Sequence, residues 1–142
     1  MLVKEIMSKR VITVSPESSL KEVGEILKEK RISGLPVVDS GGSIVGIITL
    51  TDMLNILNRL YKWKELEKAE SGLKLSNLFE KEKREAKVRD FMTKNVFVLS
   101  ENDTIEVVME LMFNKSVHTL PVADKGKIVG VVGRRDLIRA CF

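Results

Sequence analysis

Cysteine and histidine are scarce in this chain, with one of each in 142 residues. The lone Cys141 excludes an intramolecular disulfide framework. With a single histidine beside it there is no Cys/His set to bind a metal, so no metal site is expected. Long apolar runs are also missing. The longest, Ile44 to Leu50 with Gly46 inside it, is far shorter than the roughly 20 residues a spanning helix needs. No basic-then-apolar leader follows Met1, so the cytoplasm is the expected compartment and membrane insertion is not expected. Catalytic signatures are lacking as well. There is no phosphate-cradling glycine loop and no Ser/His/Asp or Cys/His arrangement in a readable context, so no catalytic residue is assigned and an enzyme is not expected. Neither sign of charge dominates: 24 Lys and Arg are interleaved with 20 Asp and Glu, for a net charge of +4. That pattern reads as a mixed solvated surface. Without a helix-turn-helix, zinc-finger or RNA-binding motif, nucleic acid is not an expected partner.

What the chain does contain is a repeat. The composition, 44% hydrophobic and 31% charged, suits a globule of one domain or two small lobes sharing a core. Sliding the sequence by 85 positions superposes Val3 on Val88, Met7 on Met92, Val11 on Val96, Val23 on Val108, Leu35 on Leu120, Pro36 on Pro121 and Asp39 on Asp124. One residue is lost in a turn, and the match resumes at 84 with Ile44 on Ile128, Gly46 on Gly130 and Asp52 on Asp136. A duplicated strand-turn-strand unit tolerates a deletion best in its turn.

In the first copy, Val11 to Val14 is a β-branched strand ended by Pro16. Ser19-Leu-Lys-Glu22 is a capping pattern opening a helix with Leu20, Val23, Ile26 and Leu27 on its inner side. Leu35 to Asp39 and Ile44 to Thr49 are two apolar strands joined by a turn at Ser40 to Ser43. Thr49-Leu-Thr-Asp52 is a second capping pattern, starting a helix through Met53, Leu54, Leu57 and Leu60. The second copy follows the same plan: a strand at Val96 to Leu99, a helix from Asp103, a hairpin turning at Asp124 to Lys127, and a last helix from Arg134 or Arg135. The expected organisation is repeat one at 1–58, an insert at 59–87 and repeat two at 88–142. The insert reads as a charged helical connector, ending in the run Glu80 to Glu85. A lid or partner-binding element is the alternative, because Trp63 and Phe79 are large apolar groups outside the repeat cores. Fifty residues bury too little apolar surface alone, so the copies are expected to pack as a pseudo-twofold pair with two clefts between them.

The recurring order of strand, capped helix, Leu-Pro-Val strand, glycine turn, Ile-Val-Gly strand and terminal aspartate resembles the CBS domain. Two in tandem resemble a CBS pair, or Bateman module. The resemblance implies an α/β fold of the α+β type, with two β-α-β-β-α repeats packed face to face and a helical insert between them. It implies a regulatory module rather than an enzyme, with no cofactor but a regulatory ligand: AMP, ADP or ATP, with S-adenosylmethionine as an alternative. It also implies a homodimer of pairs and, as partner, a regulated enzyme or transporter. A scaffold without a small ligand is the other alternative.

Candidate site residues follow from motif and resemblance together. A carboxylate at a helix start can accept from both hydroxyls of a ribose. The family pattern assigns that contact to Asp52 and Thr49, with Thr51 adjacent. The same pair would also serve simply as a helix cap. Asp136 matches Asp52, but Gly133 stands where Thr49 does. Arg134 and Arg135 beside it suit phosphate and, by resemblance, serve a nucleotide whose ribose sits on the other repeat's acid. The favoured arrangement is therefore ribose on Asp52 with phosphates toward repeat two. His118 resembles a phosphate contact of the AMP-activated protein kinase gamma subunit; Arg31 and Lys115 are weaker candidates. By family analogy Ile12, Thr13 and Val14, with Phe97 and Val98, read the adenine edge, and Pro36 and Pro121 wall the ring. Ordinary core packing is the alternative for each of these.

Overall fold

Local sequence signals set most of the element boundaries in the computed structural model, which describes residues 1–63 and 79–142. Of the insert, Leu66, Ser71-Gly72, Leu73, Leu75 and Leu78 lie outside the described residues, as do the side chains of Tyr61 and Trp63. A short helix α1 (Val3–Ile6) opens the chain. Ser19 then takes the extended N-cap conformation, and its hydroxyl accepts the Glu22 amide at 3.1 Å. Such a cap is worth about 1 kcal/mol. Helix α2 (Leu20–Lys30) follows, burying Leu20, Val23 and Leu27. It ends at Arg31 in the left-handed region, φ 54°. Ser116, the counterpart in the second copy, has φ 55°. The bend thus belongs to the repeat and not to either side chain.

Strands β1 (Gly34–Val38) and β2 (Ile44–Thr49) form an antiparallel hairpin. Its turn is held by Asp39, whose Oδ1 accepts the amides of Gly41 at 3.0 Å and Ser43 at 2.9 Å, and by Gly42 at φ 84°. Helix α3 (Leu50–Trp63) follows directly, and the insert ends in helix α4 (Glu80–Glu85). The second copy contributes β3 (Leu99–Ser100), α5 (Ile105–Asn114), β4 (Thr119–Asp124), β5 (Lys127–Gly133) and α6 (Arg134–Cys141). Both hairpins carry a bulge at the same place, between Val37 and Val38 and between Val122 and Ala123.

The first strand of each repeat is much shorter than the sequence predicts. Instead of Val11 to Val14, a single parallel bridge joins Val14 to Val37. Instead of Val96 to Leu99, only Leu99 and Ser100 pair with β4. The cause is proline. Val14 donates to the Pro36 carbonyl at 3.1 Å and accepts from Val38 at 2.9 Å. The next bond of a parallel ladder would need an N–H from Pro36, which has none. Pro121 stops the second ladder in the same way.

Each repeat gives its leading segment to the other. Val3 and Ile6 are buried with Leu99, Val108, Leu120, Val122 and Val132 of the second copy. Val88 is buried with Val14, Val23, Leu35, Val37 and Ile48 of the first. The backbone follows: Val3 donates to Asp103 at 2.8 Å, and Val88 to Ser18 at 2.9 Å. Ser8 bridges Val131, and Thr93 bridges Ile47. Met7 lies on Gly130 and Met92 on Gly46, so closely that a Cβ at either glycine would come within 2.6 Å of the sulfur. Arg59 of α3 also stacks on Phe91, 5.1 Å from the ring centre. Fully burying each valine contributes roughly 1.5–3 kcal/mol, so the exchange ties the lobes together. Where they meet, Ser33 Oγ and Thr119 Oγ1 are hydrogen-bonded at 3.0 Å. Among the described residues, no helix is long and apolar enough to cross a membrane.

Candidate functional site

A cavity of about 570 Å³ opens where the repeats meet. Repeat one supplies Ile12, Leu27, Ile32 and Pro36 as aliphatic wall, and repeat two adds Val131. Ser8, Ser33 and Thr119 bring hydroxyls. The end of β5 and the start of α6 bring Gly133, Arg134, Arg135, Asp136 and Arg139, and Arg10, Lys30 and Arg31 face them from repeat one. The proline that stops the first strand therefore has a second consequence. It leaves Ile12 off the ladder and in the cavity wall.

Asp136 is the acid of this cavity. It is only 9% exposed. Its Oδ2 accepts the Gly133 amide at 2.7 Å, capping α6, and its Oδ1 accepts Arg139 Nη1 at 3.2 Å. A carboxylate offers about four acceptor sites, so about two remain. Asp52 is differently committed. Its Oδ2 accepts both the amide and the hydroxyl of Thr49, at 2.9 and 3.1 Å, and its Oδ1 accepts the Thr93 hydroxyl at 3.1 Å. The Asp52 amide returns a bond to Thr49 Oγ1 at 3.3 Å. The reciprocal cap foreseen as the alternative role of this pair is thus formed, and about one acceptor site stays free on the same count.

The structure brings together six of the predicted site residues: Asp136, Arg134, Arg135, Ile12, Pro36 and the weaker candidate Arg31 all line the cavity. Thr49, Thr51, Asp52 and His118 are not among its lining; Leu50 and Thr119, their neighbours, are. The arginines thus share a cavity with their own repeat's acid, not with Asp52. Val14 and Pro121 are buried, whereas Phe97 and Val98 are 44% and 45% exposed. Thr13 is half-buried outside the lining. Sequence reasoning passed over Arg10, Lys30 and Arg139. The available signal was the mismatch between copies, since Arg10 superposes on Asn95 and Arg139 on Asn55. A larger, mainly apolar groove of about 840 Å³ between α2, α3 and α4 contains none of the predicted site residues.

Comparison with known proteins bears on what this arrangement does. The family model for the CBS domain matches residues 3–59 and 88–142. A protein of Methanocaldococcus jannaschii is 33% identical over 99% of the chain and 90% of its own length. Some relatives are much longer, and the chain spans 22% of an inosine-5'-monophosphate dehydrogenase from the same organism, at 32% identity. Among solved structures, CBSX2 in complex with AMP superposes with a TM-score of 0.74 at 29% identity, covering 98% of this chain and 94% of that one. A CBS domain pair in complex with 5'-methylthioadenosine and S-adenosyl-L-methionine gives 0.75 at 29% identity, covering 99% and 94%.

Proposed function

The chain belongs to the CBS domain family as a tandem pair, and from that premise we propose that it is a regulatory module binding an adenine nucleotide between its repeats. The observation that carries this reading is one cavity joining an aliphatic slot, a buried carboxylate with spare acceptor sites, and arginines. Adenine lies between Ile12, Ile32 and Pro36. Asp136 accepts from the ribose diol, and Arg134 and Arg135 take phosphate. The known binding of AMP by CBSX2 supports the same chemistry. Asp52, with Thr49, Thr51 and His118, serves the pseudo-symmetric counterpart of this cleft.

Signalling follows from where the ligand would sit. Ser33, Gly34 and Thr119 line the cavity and join the two repeats, so a ligand that favours one spacing of the lobes shifts the population toward it. The output goes to a regulated enzyme or transporter, and the module itself carries out no catalysis. A second copy is the proposed structural partner. Leu50, Leu54 and Leu57 form an exposed apolar stripe on α3, with Leu54 65% exposed, and light scattering should give twice the mass of the chain. The deciding experiment for the ligand is calorimetric titration of the purified chain with adenosine, AMP, ADP, ATP, GTP and S-adenosylmethionine. Saturable binding of an adenine nucleotide with GTP weaker is expected. Absence of binding by all the adenine ligands at millimolar concentration would overturn the reading.

A further inference from the structure

We propose that the Asp136 cleft selects a nucleoside di- or triphosphate over a monophosphate or a positively charged adenosyl ligand, and that the Asp52 cleft does not share this preference. The inference rests on the adenine-nucleotide reading above and adds to it the charge of the ligand. Six cations line the cavity, Arg10, Lys30, Arg31, Arg134, Arg135 and Arg139, against one carboxylate, Asp136. Within this lining Arg139 pairs with Asp136 at 3.2 Å, and among the described residues the other five cations have no carboxylate within ion-pair distance. The excess does not reflect the whole surface, since the chain carries only +4 over 142 residues. The apolar groove shows the contrast, with four cations, Lys21, Lys28, Arg59 and Lys83, balanced by four glutamates.

The cations come from three separate segments and converge on the cavity lining. Arg10 precedes the Ile12 wall, Lys30 and Arg31 end α2, Arg134 and Arg135 open α6, and Arg139 lies one turn on. One phosphate cannot satisfy such a spread. A chain of two or three can reach more than one of these segments, and each added charge gains from every cation within a screening length. A ligand bearing a sulfonium cation meets the same field with the wrong sign. Superposing the copies removes the feature. Arg10, Arg31, Arg134, Arg135 and Arg139 fall on Asn95, Ser116, Leu50, Thr51 and Asn55, and only Lys30 falls on another cation, Lys115. The duplication has kept the acid in both copies and the cation cluster in one.

The test is calorimetry of the full chain at about 50 mM salt with AMP, ADP, magnesium-free ATP, S-adenosylmethionine and inorganic tripolyphosphate, repeated at about 500 mM salt. ATP is expected to bind about tenfold or more tighter than AMP at low salt, with ADP between them and the ratio shrinking at high salt. Arg10→Gln combined with Lys30→Gln should compress that ratio while leaving the ligand-free melting temperature unchanged, because both side chains are exposed. Lys115→Gln, at the second copy's counterpart of Lys30 and outside the cavity lining, should leave the ratio alone. AMP binding as tightly as ATP would overturn the inference and leave the adenine-nucleotide reading standing. Tripolyphosphate binding as tightly as ATP would overturn it too, by making the cleft a general anion site. No binding by any adenine ligand would overturn both.

Discussion

Replacing Asp136 with asparagine separates the two tasks this side chain performs. One task is local: Oδ2 accepts the Gly133 amide at 2.7 Å and caps α6. Asparagine keeps one carbonyl oxygen for that bond. The Arg139 pair is lost, but that guanidinium side chain is 74% exposed, and exposed pairs contribute little. The ligand-free protein should therefore lose less than about 1 kcal/mol of stability. The other task is to accept the ribose diol. Hydrogen bonds to a charged group are worth about 1.5–3 kcal/mol each. Losing the charge and one acceptor oxygen should cost about 2–3 kcal/mol, or roughly 30- to 150-fold in Kd for the adenine nucleotide. Calorimetry reads the affinity, and a ligand-free thermal melt reads the fold. A Kd within about threefold of wild type, with an unchanged melt, would refute the assignment of the ribose to Asp136. Asp52→Asn run in parallel would then show whether its cleft holds the sugar.

Other consequences concern the fold that builds the cleft. Gly130→Ala would place a Cβ 2.6 Å from Met7 Sδ and 3.1 Å from the Ser8 carbonyl; the cost should be about 1–3 kcal/mol, lowering Tm by roughly 3–8 °C. Gly24→Ala meets only Met53 Cε at 3.8 Å, and should raise Tm slightly through helix propensity; a fall would show that α2 and α3 pack more tightly than described. In a double-mutant cycle, Ser33→Ala and Thr119→Val should couple by about 1 kcal/mol through their 3.0 Å bond, whereas additive effects would deny that it joins the lobes. Glu80 is held below the ordinary carboxylate range chiefly by a hydrogen bond from Lys83, with Lys21 also contributing. Its folded pKa is therefore the lower one, so its contribution is complete above the unfolded value and lost as pH falls through the folded value. Amide protection in α4, corrected for the intrinsic exchange rate, should fall in acid, and Glu80→Gln should remove that fall.

Much of the fold could be read from local chemistry. Ser19 with Glu22, Thr49 with Asp52, and the glycine turn after Asp39 each act within a few residues, and each formed as expected. The exchange of leading segments was hidden for a reason of symmetry. Val3 and Val88 are equivalent in the repeat, so packing each on its own copy or on the other leaves the same pattern. The same ambiguity obscured which acid shares a cavity with Arg134 and Arg135. The short first strands were hidden differently. Pro36 and Pro121 were visible, but the ladder bond each removes depends on a parallel neighbour some twenty residues earlier. The cation cluster was not visible as a run, because Arg10, Lys30 and Arg139 lie far apart in sequence and meet only in the lining of the cavity.

The central claim, that an adenine nucleotide occupies the cavity between the repeats, is tested most directly by mapping amide chemical shifts as ATP is added to the labelled chain. Saturable shifts centred on Ile12, Ile32, Ser33 and the Gly133–Asp136 helix start are expected, with smaller ones at Thr119. Shifts confined to the groove between α2, α3 and α4, or scattered over the basic surface without saturation, would contradict it.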